Sequence, residues 1–65
     1  MGNGLGHEMT REDREAIELL RSTAERHRRR ALLLSALGES EQAEACRVIA
    51  KIQEERASRL ERRAT

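Results

Sequence analysis

The chain has 65 residues and a formal net charge of +1; 38% of its residues are charged and 37% are apolar. It has no Phe, Trp, Tyr or Pro and a single Cys. This composition excludes a membrane span, since no apolar run approaches the roughly 20 residues that a span needs. It also excludes an internal disulfide, a Cys-rich zinc site and an aromatic platform for stacking bases. No catalytic constellation is evident, so we expect neither enzyme activity nor a cofactor.

The small size of the chain predicts association with another copy. A domain below about 70–80 residues rarely gains more than a few kcal/mol from its own core. Without a disulfide or an evident metal site, oligomerisation is the remaining means of stabilisation. We therefore expect an obligate homo-oligomer.

Residues 1–9 differ in character from the rest of the chain. Three of the first six residues are Gly, and Gly occurs only once more, at position 38. Such a segment is typical of a flexible terminus, or of a remnant of an expression vector ahead of a natural start at Met9. We predict that the folded part covers residues 10–65.

The first predicted helix covers about residues 11–37. Thr10 is a suitable N-cap, and Asp13 three residues later is an acidic form of the capping box. Apolar and small side chains then recur at alternating spacings of three and four residues, a heptad pattern that includes one His. The residues on this line are Ile17, Leu20, Ala24, His27, Ala31 and Leu34.

A turn at residues 38–40 separates the first helix from a second one at about residues 41–63. Gly38 can adopt the left-handed conformation that ends a helix, and Ser40 can cap the next helix. A turn this short makes the two helices antiparallel. The heptad line of the second helix consists of Ala43, Cys46, Ala50, Gln53, Ala57, Leu60 and Ala64.

These elements predict an all-α fold, an antiparallel helical hairpin. Part of the apolar stripe of the hairpin stays exposed after the two helices have packed. Two hairpins that cover each other's exposed stripe form a homodimeric four-helix bundle. The predicted core residues are Ile17, Leu20, Ala24, Ala31, Leu34, Cys46, Ile49 and Leu60.

Basic residues cluster in the second half of the first helix. Four Arg surround His27 at residues 26–30, and Arg14, Arg21 and Arg28 recur every seven residues. Clustered Arg residues neutralise phosphates and give salt-dependent, sequence-independent binding to nucleic acid. The alternatives are a solvated helix flank, or pairing with the acidic half of the same helix in a second copy.

His27 and Cys46 are the residues with the most reactive side chains. A metal role for His27, or a Cys46–His27 nucleophile pair, would need further ligands or a substrate cleft that the sequence does not indicate. We interpret His27 as a polar residue that fixes the register of the helices and Cys46 as a small core residue. We expect no metal site.

Several residues match a known family at the same distances along the chain. Met9, Thr10 and Arg11 match its start, and Gly38 lies where its bend needs a left-handed residue. Like residues also occur at Ala16, Arg21, Leu34 and Leu37. The most specific match is to the family's Glu-Gln-Ala-Asp-Ile-Cys, and its residues here are Glu41, Gln42, Ala43, Glu44, Ala45 and Cys46. Over roughly residues 9–62 the chain thus resembles the Rop family of plasmid copy-number regulators.

The resemblance implies a cytoplasmic homodimer that stabilises two complementary RNA hairpins joined through their loops, without reading base sequence. The exposed surface of the two first helices would bind the RNA. The candidate RNA-binding residues are Arg11, Arg14, Arg21, Ser22, Arg26 and Arg29. Some residues of this surface depart from the family: Ser22 replaces an important aromatic residue, Arg26 a Gln, Glu18 an amide and Leu33 a Lys.

The alternative function is that of a small helical protein–protein interaction module without RNA binding. Its apolar stripe would then dock a helix of another protein. Leu32 and Leu33 lie off the heptad line, where they would form a partner patch or cover a bundle end. A third reading, a membrane-surface helix, lacks an aromatic anchor, and we expect no membrane partner.

Overall fold

The computed structural model describes residues 9–64, and in this part of the chain it contains two α-helices and no strand. Helix α1 covers Arg11–Ala36 and helix α2 covers Ser40–Ala64. The two helices pack against each other as an antiparallel hairpin, which confirms the predicted fold of the single chain. The prediction for the N-terminal segment falls, except at Met9, outside the described residues.

Helix α1 begins with the predicted cap. The Thr10 hydroxyl accepts a hydrogen bond from the backbone N–H of Asp13 at 3.0 Å. The Thr10 carbonyl accepts the first helical hydrogen bond from the N–H of Arg14, also at 3.0 Å. The side chain and the backbone of Thr10 thus accept hydrogen bonds from two backbone N–H groups at the start of α1, which stabilises its first turn.

The turn between the helices depends on Gly38, whose φ of +83° is in the left-handed region. The N–H of Gly38 donates to the carbonyl of Ser35 at 3.0 Å, and that of Glu39 donates to the carbonyl of Leu34 at 2.8 Å. These two hydrogen bonds form a Schellman motif, which satisfies carbonyls that the end of α1 would leave unpaired.

The predicted ends of the helices at the turn need a small correction. Helix α1 ends one residue earlier than predicted, and α2 begins at Ser40 rather than at residue 41. The carbonyl of Glu39 accepts the first hydrogen bond of α2, from the N–H of Ala43 at 2.9 Å. Glu39 therefore occupies the N-cap position that the sequence predicted for Ser40.

The two heptad lines form the contact between the helices, as their spacing predicts. Small residues dominate this contact and let the helices approach closely. The buried residues are Ile17, Ala24, Ala31, Ala43, Cys46, Ala50 and Ala57. The half-buried ones on the same lines are Leu20, His27, Leu34, Gln53 and Leu60. Most of the large aliphatic side chains therefore contribute little to the core of a single hairpin.

Seven of the eight predicted core residues are buried or half-buried in the single hairpin, and the eighth, Ile49, lies on its surface. Ile49 is 41% exposed in the hairpin. It lies three residues after Cys46 and one before Ala50, on the flank of α2 that turns away from α1. The contact between two helices is narrower than the predicted apolar stripe, so a side chain at its margin stays exposed.

The two sides of the hairpin differ. On one side, which we call the ion-paired edge, Arg21 and Arg28 of α1 bind Glu61 and Glu54 of α2. On the other side, a groove brings Ala16, Leu19 and Leu20 of α1 together with Arg56, Arg59 and Leu60 of α2. Residues at heptad spacing from these continue the same side along both helices. We call this side the apolar edge; its exposed aliphatic residues are Leu19, Leu33, Leu37, Ile49 and Ile52.

Candidate RNA-binding surface

The six predicted RNA-binding residues lie on two sides of α1. Four of them share its outer, exposed face, because spacings of four, seven and eleven residues return a helix to nearly the same direction. These four are Arg11, Ser22, Arg26 and Arg29. Arg14 and Arg21 lie instead on the flank that adjoins α2, in line with Arg28. The structure thus places four of the candidates on one face of α1, with Arg11 at its far end, and places the other two on a different side.

Arg21 is held by a bidentate pair across the hairpin. Its Nη1 donates to Oε2 of Glu61 at 2.9 Å, and its Nη2 donates to Oε1 at 2.6 Å. These hydrogen bonds raise the pKa of Arg21 and lower the pKa of the Glu61 carboxyl. An arginine whose donors are already used by a carboxylate is a poor ligand for an additional phosphate.

Arg28 makes the equivalent contact one heptad further along, with Glu54. The hydrogen bond from Arg28 lowers the pKa of the Glu54 carboxyl, and the same contact raises the pKa of Arg28. The sequence shows the line of Arg14, Arg21 and Arg28 but not these partners, which depend on the height at which the two helices pack. Arg21 and Arg28 therefore connect the two helices rather than extending the outer face.

Arg11 and Arg29 make only local ion pairs within α1. Nε of Arg11 lies 3.5 Å from Oε2 of Glu15, and Nη2 of Arg29 lies 3.5 Å from Oε2 of Glu25. The two guanidinium side chains are 87% and 74% exposed. Exposed pairs of this kind are weak and screened by salt, so both arginines remain able to exchange their carboxylate for a phosphate.

The strongest concentration of positive charge is a group of three arginines in the second half of α1. Arg26, Arg29 and Arg30, which we call the basic cluster, line a shallow concavity together with Thr23, His27 and Leu33. Because Leu33 belongs to the apolar edge, the basic cluster borders that edge. Arg26 and Arg30 form no ion pair with any residue in the described part of the chain. Arg30 was not among the predicted site residues, although the run of basic residues around His27 indicated it.

In the first half of α1 the acidic residues outnumber the arginines, four to three. Glu12, Glu15 and Glu18 are exposed on the first half of the helix. The outer face of α1 therefore changes from acidic to basic along its length, with Ser22 near the boundary. A polyanion would contact the second half and be repelled by the first.

His27 and Cys46 occupy positions that fit a structural role. His27 is half-buried, and its Nδ1 is 2.9 Å from the carbonyl of Thr23. Because a carbonyl only accepts, Nδ1 carries the proton in this contact. Cys46 is 8% exposed and packs in a cluster with Ala31 and Ala43. Within residues 9–64 no group of three His, Cys, Asp or Glu is placed to hold a metal ion.

Comparisons of the chain with known protein families, with curated proteins and with solved structures find no match. Neither helix contains, in its described residues, an apolar stretch long enough to cross a membrane.

Proposed function

We propose that the hairpin associates with a second copy into a four-helix bundle and binds RNA through the outer faces of the two α1 helices. Its target would be a pair of complementary RNA hairpins joined through their loops, as the resemblance to the Rop family implies. The protein would act in the cytoplasm, in the control of plasmid copy number. It would stabilise the RNA complex as a binding protein and not as an enzyme.

The observation that carries this proposal is the basic cluster. Its three arginines lie on exposed helix surface, and two of them have no ion pair within the described residues. The cross-helix pairs of Arg21 and Arg28 leave the cluster as the part of α1 whose charge is least compensated. Guanidinium groups arranged in this way contact phosphates without reading bases.

Pairing of two α1 helices would double this charge. If the helices run antiparallel, the basic clusters of both copies lie near the middle of the shared surface and the acidic halves lie at its ends. The RNA complex would contact such a central basic band through its backbone. The absence of aromatic side chains is compatible with recognition of phosphates, which needs no stacking.

The test is a binding titration with a labelled pair of complementary RNA hairpins, repeated at several salt concentrations. We expect binding that prefers the loop–loop pair over single hairpins and duplex RNA and that weakens steeply with salt. Replacing Arg26 and Arg29 with Glu should reduce the affinity by at least about tenfold, since each contact contributes to the release of counterions. Circular dichroism of the variant should remain helical.

A matched control separates a local contact from the effect of net charge. Arg47 and Lys51 lie on α2 beside the ion-paired edge, and their replacement with Glu changes the charge by the same amount. We expect this control to bind RNA more tightly than the Arg26→Glu, Arg29→Glu variant. Equal loss of affinity in both variants would overturn the assignment of the α1 surface.

A protein-binding module is the second candidate, and Leu32 is the observation that favours it. Leu32 is 72% exposed and lines a groove with Arg28, Arg47 and Lys51 on the side of the hairpin opposite the apolar edge. A second copy on the apolar edge would leave this groove open. A stable dimer that binds none of the RNAs would favour this function.

A further inference from the structure

On the ion-paired edge, the described residues expose one large aliphatic side chain, that of Leu32. The positions seven and fourteen residues before it hold exposed glutamates, Glu25 and Glu18. Charged residues are usual at such positions, on the side of an amphipathic helix that faces water. A single exposed leucine is common on protein surfaces, so the surroundings of Leu32 decide what it can do.

Leu32 lies in a groove between the two helices. The buried Ala31 and the exposed Leu32 provide the apolar surface of this groove, and charged side chains provide the rest. These charged residues are Arg28, Arg47, Lys51 and Glu54. An apolar centre with a charged rim is the usual arrangement of a surface that binds another protein.

The ion pairs of this edge stop at the groove. The two cross-helix pairs follow each other at a spacing of seven residues on both helices, and the second of them joins Arg28 to Glu54. The next pair at this spacing would join Ser35 and Arg47. Ser35 carries no charge, and Arg47 occupies a position at which the first two pairs have a glutamate. Arg47 therefore has no carboxylate opposite it on α1.

The positive charge beside Leu32 is only weakly compensated. Nη1 of Arg47 contacts Oε1 of Glu44, three residues earlier on the same helix, at 2.8 Å. Such an exposed pair is weak and screened by salt. Lys51 forms no ion pair among residues 9–64. Both cations are therefore able to bind carboxylates that come from outside the hairpin.

This combination favours a protein helix over a nucleic acid as the occupant. RNA offers phosphates to Arg47 and Lys51, but it has no aliphatic side chain that would cover Leu32. An amphipathic helix whose apolar stripe is flanked by Asp or Glu provides partners for the leucine and for both cations. A groove between two packed helices also has the shape that a third helix fits.

We propose that this groove binds an acidic amphipathic helix of another protein, with an apolar side chain against Leu32 and carboxylates on Arg47 and Lys51. The proposal rests on the second candidate function, the protein-binding module, and adds the chemistry of its partner. It does not depend on RNA binding, because the basic cluster lines a different surface. It does not depend on the dimer either, because the groove lies within one hairpin and away from the apolar edge.

A synthetic peptide of about 20 residues tests the groove, since shorter helices are marginal in water. The acidic peptide carries Leu at heptad spacing with Glu on both flanks. One comparison peptide carries Lys in place of Glu, and the other carries Ala in place of Leu. Fluorescence anisotropy of the labelled peptides, titrated with the full chain, measures binding.

We expect the acidic peptide to bind with a Kd of roughly 10–100 μM, as suits a small interface. Each comparison peptide should bind at least about tenfold more weakly, because it lacks either the charges or the apolar contact. Absence of binding by the acidic peptide would overturn the proposal. Preference for the Lys peptide would overturn the acidic partner and leave the protein-binding function standing.

Replacing Leu32 tests the apolar contact. Leu32→Ala should weaken binding of the acidic peptide about tenfold. The variant stays helical, because Ala has the highest helix propensity, and circular dichroism verifies this. Leu33→Ala is the matched control, since the adjacent Leu33 is 67% exposed but lies on the apolar edge. Equal binding by the two variants would overturn the assignment of the groove.

Reversing the charge of the groove separates this proposal from RNA binding. Arg47→Glu with Lys51→Glu should lose the acidic peptide and bind the Lys peptide instead, while it keeps its affinity for RNA. Arg26→Glu with Arg29→Glu should do the opposite, losing RNA and keeping the acidic peptide. Loss of only one of the two activities from the wild type would thus identify which proposal fails. Displacement of the acidic peptide by the RNA hairpin pair would overturn the protein partner.

Discussion

The ion-paired edge and the apolar edge of the hairpin flank the same contact between α1 and α2. They differ in whether their side chains find partners within the chain. On the ion-paired edge, Arg21 and Arg28 find their carboxylates within the chain. On the apolar edge, Leu19 and Ile52 find no cover within it and remain 65% and 43% exposed. The comparison shows that a two-helix chain can complete its charge pairing alone while its apolar surface is only half of a core.

The two edges also differ in how much they can contribute to stability, and the apolar edge can contribute more. Exposed ion pairs contribute little, because water and salt screen them. Each aliphatic side chain that becomes fully buried contributes about 1.5–3 kcal/mol. We therefore expect that assembly and stability depend on the apolar edge and that the ion-paired edge has only a modest effect.

The largest expected effect comes from a charge on the apolar edge. Ile52→Glu should weaken the dimer at least about 100-fold, since a carboxylate would replace an aliphatic side chain that assembly buries. Sedimentation equilibrium measures this change. Val48→Glu is the matched control, because Val48 is 48% exposed on the same helix but outside the apolar edge. Equal dissociation of the two variants would show that the apolar edge has no special role.

An intermediate effect is expected in the contact between the helices. Ala57 is fully buried in this contact. Ala57→Leu should lower the free energy of unfolding by about 1–3 kcal/mol, because the added carbon atoms force the helices apart. Urea denaturation provides the measurement. Ala36→Leu, at the exposed end of α1, should change the free energy of unfolding by less than about 0.5 kcal/mol. An unchanged midpoint for Ala57→Leu would mean that the helices do not pack closely at that point.

The smallest effect is expected on the ion-paired edge, and it depends on pH. The pKa values of Glu54 and Glu61 are lower in the folded chain than the usual value for Glu of about 4.3. Their contribution to stability is therefore complete above that value and is lost as the pH falls through the lowered folded pKa. Glu54→Gln with Glu61→Gln should reduce the melting temperature slightly at pH 7 and leave it nearly equal to that of the wild type at pH 2. A constant difference at both pH values would contradict this origin.

The contact between the helices could be predicted from the sequence because it depends on local spacing. Ile17, Ala24 and Ala31 recur every seven residues and are all buried. Gly38 could be predicted as well, since a left-handed residue is needed where the heptad pattern stops. The N-cap of α2 could not, because the Schellman motif brings the chain back into helix at Ser40 and leaves the cap to Glu39.

The candidate RNA-binding site could be predicted only in part, because the way α1 packs against α2 decides which arginines are paired. The sequence indicates that Arg26 and Arg29 share the exposed face of α1. It does not indicate that Arg21 points to Glu61, because these residues are 40 positions apart in the chain and their pairing depends on the relative height of the two helices. Tertiary contacts therefore divide a row of arginines that look equivalent in the sequence.

The central claim is that the hairpin is half of a four-helix bundle, and its mass in solution tests this most directly. One chain has a mass of 7.4 kDa. Sedimentation equilibrium at micromolar concentration should give twice that mass, with a single cooperative loss of helix whose midpoint rises with protein concentration. A helical monomer of 7.4 kDa, with a midpoint that does not depend on concentration, would contradict the claim.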